Sequence, residues 1–144
     1  MKTLLQILKD KNHKEIISIA PNRPVFDALV ILAEYKIGAL AVIENSKLVG
    51  IFSERDYARE VVLQGRSSKT TQIHEVMTTK VITGKPSDLV EKAMAIMSEK
   101  HIRHLPVVDD DKVLGMLSLG DMVKETIAYQ QRLIKELETY IRGG

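Results

Sequence analysis

Ile37-Gly38-Ala39-Leu40-Ala41-Val42, continued by Val49-Gly50-Ile51-Phe52-Ser53-Glu54-Arg55-Asp56, returns 65 residues later in the chain. The second copy reads Ile102-Arg103-His104-Leu105-Pro106-Val107, then Leu114-Gly115-Met116-Leu117-Ser118-Leu119-Gly120-Asp121. The offset needs no gap from Ile17 to Val62 against Ile82 to Ile127, and 14 of those 46 pairs are identical. A repeat this long is a whole folding unit rather than a short solenoid element. Both copies end an apolar run on Ser-x-x-Asp, so the duplicated polar chemistry is concentrated at Ser53/Asp56 and Ser118/Asp121.

Working outward, Ala39 to Ile43 and Leu48 to Phe52 are apolar runs joined by Glu44-Asn45-Ser46-Lys47, the pattern of a β-hairpin. Upstream, Val25, Ala28, Leu29 and Leu32 follow the spacing of one buried helical face, and Gly38 is the expected helix end. Asn22 is placed to cap that helix, with Pro24 in its first turn. Ile16 to Ile19 reads as a short strand, and Ser53 opens a second helix running to about Gln64. The second copy repeats the order. A strand is expected at Val81-Ile82, a helix from about Ser87 to Lys100, a hairpin at His104–Val108 and Val113–Ser118, and a helix from Leu119. The fold class is therefore α/β (α+β), two β-α-β-β-α units.

The expected divisions are an N-terminal helix and lead-in at 1–15, unit 1 at 16–64, a linker at 65–80, unit 2 at 81–127 and a C-terminal helix extension at 128–144. Residues 3–10 suit a short amphipathic helix, Asp10 to Glu15 a polar run, and Ile73 to Met77 a helical turn. The last helix continues to about Ile141 before Gly143-Gly144. Its Val123, Ile127, Ile134, Leu137 and Ile141 keep a 3-4 spacing interrupted by Gln130. That stripe fits either packing on its own domain or a subunit contact.

With 144 residues, each unit alone would be marginal, so the two are expected to share a core. Apolar content is 44%, charge 28% and net charge +2, which gives no basic surface for nucleic acid. Aromatic residues are 4%, too few for base-stacking platforms, so nucleic acid is an unfavoured partner. The absence of cysteine excludes disulfides and thiolate-ligated zinc. No apolar stretch spans a membrane and no signal peptide is evident, so the expected location is cytoplasmic. His101 and His104 straddle a helix end and a strand start without a carboxylate pair, which argues against a metal site. No glycine-rich phosphate loop and no catalytic constellation stands out, so no enzyme activity and no catalytic cofactor is expected.

The tandem β-α-β-β-α unit, the Leu105-Pro106-Val107-Val108-Asp109 segment and the closing Gly-h-h-Ser-x-x-Asp resemble the cystathionine-β-synthase (CBS) domain pair, or Bateman module, of the stand-alone bacterial type. The resemblance runs from about Ile16 to Ile127. It implies two units packed sheet to sheet about a pseudo-two-fold axis, two clefts between them, and association of two modules into a homodimer. It also implies an adenosine nucleotide such as AMP, ATP or NAD(H), or S-adenosylmethionine, bound as ligand to a regulatory module that acts on an unknown effector protein. By that analogy Asp56 and Asp121 accept hydrogen bonds from ribose hydroxyls, and Ser53 and Ser118 donate to ribose or phosphate. Arg55, Arg103 and His104 serve phosphate, with the second copy better suited because Arg103 and His104 adjoin its own Asp121. Lys80 and Lys85 are weaker phosphate candidates, and Ile17, Ala41, Thr83 and Pro106 would lie against the base. Ser-x-x-Asp is equally a helix capping box, and the two roles are compatible. The alternative is a ligand-free dimerisation scaffold or adaptor.

Overall fold

In the computed structural model, residues 1–11 and 16–143 are described. The polar run expected to end at Glu15 falls largely on 12–15, outside them, as does Gly144. The elements are α1 (Leu4–Asp10), β1 (Ser18–Ile19), α2 (Val25–Tyr35), β2 (Ala39–Glu44), β3 (Lys47–Ser53), α3 (Glu54–Asp56, continued as π-helical turns over Tyr57–Val62), α4 (Ile73–Val76), α5 (Val90–Lys100), β4 (His104–Asp109), β5 (Lys112–Ser118) and α6 (Leu119–Ile141).

Both hairpins turn on two residues of positive φ, Asn45 and Ser46 in one and Asp110 and Asp111 in the other. Two such residues match the right-handed twist of paired strands, and Asn and Asp tolerate the conformation well. In the first unit β1 lies parallel to β2, which pairs antiparallel with β3. In the second, β4 and β5 repeat the hairpin register, including the irregularity at Val107/Val108 that mirrors Val42/Ile43.

The expected strand at Val81-Ile82 is not formed. A single parallel bridge, Gly84 to Val107, stands in its place, at the position where Ile19 pairs with Val42. The substitution of glycine for Ile19 explains the loss. A Cβ on Gly84 would lie 2.6 Å from Cδ1 of Leu4, so the room that Ile19 fills in one unit is filled by α1 in the other.

That contact belongs to a reciprocal exchange. Leu4 and Ile7 of α1 are buried in the core of the second unit with Val90, Met97, Leu105, Leu117 and Met122. Ile73 and Val76 of α4, which precede the second unit in the chain, are buried in the core of the first with Val25, Leu40, Phe52 and Val61. Each such side chain contributes about 1.5–3 kcal/mol by leaving water. Backbone bonds follow the same pattern. The Val25 N–H donates to the Thr71 carbonyl (2.8 Å) and Phe26 to Ser68 (2.9 Å), while the Val90 N–H donates to Lys2 (3.2 Å). These carbonyls, not Asn22, meet the first free N–H groups of α2, whose N-cap is Pro24 without a side-chain bond. Segments 1–15 and 65–80 are thus no mere lead-in and linker, since their helices complete the opposite unit.

Three further boundaries differ from expectation. α2 ends at Tyr35 because Lys36 turns left-handed, before Gly38 is reached, and His101 does the same after α5. α5 starts at Val90 rather than Ser87, after the turn in which the Lys85 N–H donates to Asp88. α3 ends at Val62, its π-helical end closed by the Leu63 N–H on the Ala58 carbonyl (3.0 Å).

The repeated Gly50/Gly115 pair makes the exchange sterically possible. A Cβ on Gly50 would stand 2.6 Å from Met77 Sδ and 2.9 Å from the Thr78 carbonyl oxygen, whereas one on Gly115 would meet the end of Leu8 at 2.7 Å. Backbone cannot yield as a leucine terminus can. Gly50→Ala is therefore expected to cost about 1–3 kcal/mol and Gly115→Ala clearly less, measured by urea denaturation. Equal costs would contradict this account.

Candidate functional site

Both Ser-x-x-Asp segments form complete capping boxes at helix starts. The Ser53 N–H donates to Asp56 Oδ2 (2.9 Å) and the Asp56 N–H to Ser53 Oγ (3.1 Å). The Ser118 N–H donates to Asp121 Oδ2 (2.8 Å) and the Asp121 N–H to Ser118 Oγ (3.1 Å). Each carboxylate is thereby held in one orientation at the carboxyl end of a hairpin, and each lines a cleft between the units.

The clefts are composite. One, of about 500 Å³, sets Ile51, Ser53 and Asp56 of the first unit against Val81, Ile82 and His101 to His104 of the second. The other, of about 750 Å³, sets Leu114, Met116, Ser118 and Asp121 of the second against Ile16, Ile17 and Lys36 to Ala39 of the first. Leu114 apart, shifting either set by 65 residues turns it into the other, so the repeat is a spatial pseudo-two-fold. Exchanged segments reach both carboxylates. Thr78, beyond α4, donates its hydroxyl to Asp56 Oδ1 (3.0 Å). Lys11, beyond α1, donates to Asp121 Oδ2 (3.0 Å) and to the Met116 carbonyl (3.0 Å).

Composite construction redistributes the basic residues. Arg103 does not adjoin Asp121 as expected. It lines the Asp56 cleft, together with Arg55, Arg59, Lys80 and Lys100, facing Glu54 and Asp56. This cleft is thus the more cationic of the two. Arg55 also bridges the units by donating to the His101 carbonyl (3.2 Å). His104 is half-buried on the wall common to both clefts. It fits there because the residue packed against it is Gly38, where a Cβ would lie 3.1 Å from the imidazole.

Of the weaker candidates, Ile17 and Lys80 line a cleft. Ala41 is buried within β2 and Pro106 within β4, while Thr83 and Lys85 are exposed; none of these four lines either cleft. Among the described residues no group of three His, Asp or Glu could hold a metal ion. Among the described residues no helix is long and apolar enough to cross a membrane.

Lys11, Lys36, Thr78, Arg59 and Lys100 escaped the sequence argument. A signal for two of them existed. Leu4, Ile7 and Leu8 align with Ile73, Val76 and Met77 at an offset of 69, so the repeat extends upstream once a four-residue insertion is allowed. Both lead-in helices carry a capping box as well, Thr3 with Gln6 and Gln72 with Glu75.

Electrostatics follow from this packing. Burial alone would raise the Asp121 carboxyl, but the Ser118 N–H and the Lys11 ammonium together outweigh it and hold the carboxyl below its ordinary 3.8. Burial, then Lys11, push the His104 imidazole below its ordinary 6.5; Asp121 opposes, and Arg103 and Arg55 add to the depression. His104 is therefore neutral in the folded protein where the unfolded chain is already protonated. Stability contributed by this site is complete above 6.5 and falls as pH drops through the folded value. Urea denaturation at about pH 7.5 and about pH 5.5 should show a loss on acidification that His104→Gln reduces. An identical loss in the variant would contradict the assignment.

The chain matches the CBS domain family model at residues 8–63 and 73–127. It is 47% identical to a protein with CBS domains from Burkholderia ambifaria MC40-6, covering 88% of this chain and 95% of that one with a TM-score of 0.84. The mitochondrial CBS domain-containing protein CBSX3 of Arabidopsis thaliana is 40% identical over 83% of this chain, which spans 61% of that protein's length. The CBS domain pair of protein MJ0100, solved in complex with 5′-methylthioadenosine and S-adenosyl-L-methionine, is 28% identical, with a TM-score of 0.79 over 90% of this chain and 98% of that one. Taken with the twin composite clefts, these matches establish that the chain belongs to the CBS domain family, as a tandem pair.

Proposed function

We propose that this regulatory module binds an adenosine nucleotide, of the AMP, ATP or NAD(H) type, and transmits occupancy as a change in the angle between its units. The observation that carries the proposal is the cleft itself. In it a fixed carboxylate, an apolar wall of Val81, Ile82 and Ile102 from the opposite half and a cluster of arginines and lysines converge. An ionised carboxylate only accepts hydrogen bonds, and a ribose cis-diol presents two donors to it. The guanidinium groups of Arg55 and Arg103 favour phosphate. Apolar Ile82 in this cleft and Ile17 in the other suit the face of a purine. The complex of the MJ0100 domain pair supports the adenosine part of the ligand and says nothing of its phosphates.

Because each cleft is walled by both units, a ligand that fits the closed arrangement better shifts the population toward it by its differential affinity. A thermal melt with AMP, ATP, NAD, NADH and S-adenosylmethionine tests binding directly. At about 100-fold excess over Kd, stabilisation should approach 2.7 kcal/mol. Asp56→Asn should weaken nucleotide binding by at least about tenfold, since each hydrogen bond to a charged group is worth about 1.5–3 kcal/mol. No shift with any of these compounds at millimolar concentration would contradict the proposal.

One observation favours self-association alongside ligand binding. Val123, Ile127, Ile134, Leu137 and Ile141 are exposed on α6, far more apolar surface than a lone helix end leaves in water. We assign this stripe to a homodimer contact. Ile134→Lys with Leu137→Lys is expected to halve the mass measured by light scattering. An unchanged mass would remove the assignment, and a ligand-insensitive dimer would favour the scaffold reading.

A further inference from the structure

The repeat relates the two clefts, but their carboxylates are met by different chemistry. Asp56 Oδ1 takes a neutral hydroxyl from Thr78 at 3.0 Å. Asp121 Oδ2 takes the ammonium of Lys11 at 3.0 Å, and the side chains of this pair are each only 25% exposed. Lys11 is anchored a second time, on the Met116 carbonyl at 3.0 Å. Lys9 and Lys36 line the same cleft, and Asp121 is the one carboxylate among its described lining residues. Its positive charge therefore outnumbers its negative charge even while the ion pair is intact.

We propose that Lys11 determines the specificity of the Asp121 cleft, selecting phosphorylated adenosine ligands over uncharged or cationic ones; this rests on the reading that the cleft takes such ligands. A ribose diol that sets one hydroxyl on each carboxylate oxygen of Asp121 competes with the ammonium at Oδ2, which already accepts the Ser118 N–H at 2.8 Å. The displaced ammonium stays on the cleft wall, tied to Met116, in a cleft that Lys9 and Lys36 also line. An uncharged nucleoside leaves that charge without a partner in a half-dry site, a costly state. The sulfonium of S-adenosylmethionine adds a further positive charge. A phosphate instead supplies the counter-ion that Asp121 withdraws, so breaking the ion pair becomes an exchange of one carboxylate for one phosphate. Thr78 imposes no such condition on the Asp56 cleft, because its hydroxyl is neutral and rotates to suit its partner.

The experiment is calorimetric titration of AMP, adenosine and S-adenosylmethionine into an Asp56→Asn protein, with and without Lys11→Met or Lys11→Arg. In the Asp56→Asn protein AMP should bind at least about tenfold more tightly than adenosine, one charge-assisted contact being worth a decade or more. Adding Lys11→Met should collapse that ratio toward unity, while Lys11→Arg should retain it. Adding Asp121→Asn should weaken AMP, which locates the binding. An AMP-to-adenosine ratio unchanged by Lys11→Met, with AMP still sensitive to Asp121→Asn, overturns the role of Lys11 and leaves the nucleotide proposal standing. AMP binding that is insensitive to Asp121→Asn overturns the role of Lys11 as well. Absence of any adenosine-ligand binding to the unmutated protein overturns both.

Discussion

The exchange of short helices between the two halves is the constraint on which the remaining structure depends. Leu4 and Ile7 close the core of the second unit, and Ile73 and Val76 close that of the first. A half of this size buries too small a fraction of its surface to be secure alone. The exchange removes that weakness and makes the stability of each half a property of the pair. It also accounts for details that have no local reason. Gly50 and Gly115 are kept free of side chains because Met77 and Leu8 press on them, and Gly84 stands where Ile19 stands in the other half because Leu4 needs its volume.

The same exchange creates the clefts. Once α1 lies on the second unit and α4 on the first, the chain leaving each helix passes the Ser-x-x-Asp of the unit it has joined. Thr78 and Lys11 are the residues delivered there. Walls from both halves mean that a molecule bound there would touch both units, as the proposed change of angle requires. His104, packed against Gly38, lines both clefts.

The hairpins, the two long helices and both capping boxes were legible from the sequence, because each is written in local chemistry. Period-2 and period-3.6 apolar patterns, paired turn residues and Ser-x-x-Asp need no knowledge of the partner half. What failed was whatever a distant segment supplies. Asn22 looked like a cap, but Ser68 and Thr71 from across the molecule meet the N–H groups of α2. Val81-Ile82 looked like a strand, but Gly84 yields its core position to Leu4. Arg103 was matched to Asp121 because both belong to the second copy, whereas the clefts join opposite copies and place Arg103 with Asp56. The capping boxes of Ser53 with Asp56 and of Ser118 with Asp121 were legible because their motif is local. Lys11 and Thr78 were hidden by an alignment that stopped at Ile17, four residues out of step with the repeat upstream.

The central claim is that each cleft is a nucleotide site built from both halves of the chain. A crystal structure with AMP tests it most directly. The account predicts ribose hydroxyls on the carboxylate of Asp56 or Asp121, with the purine against Ile82 or Ile17 of the opposite unit. A nucleotide held by one unit alone, or seated outside both clefts, would contradict it.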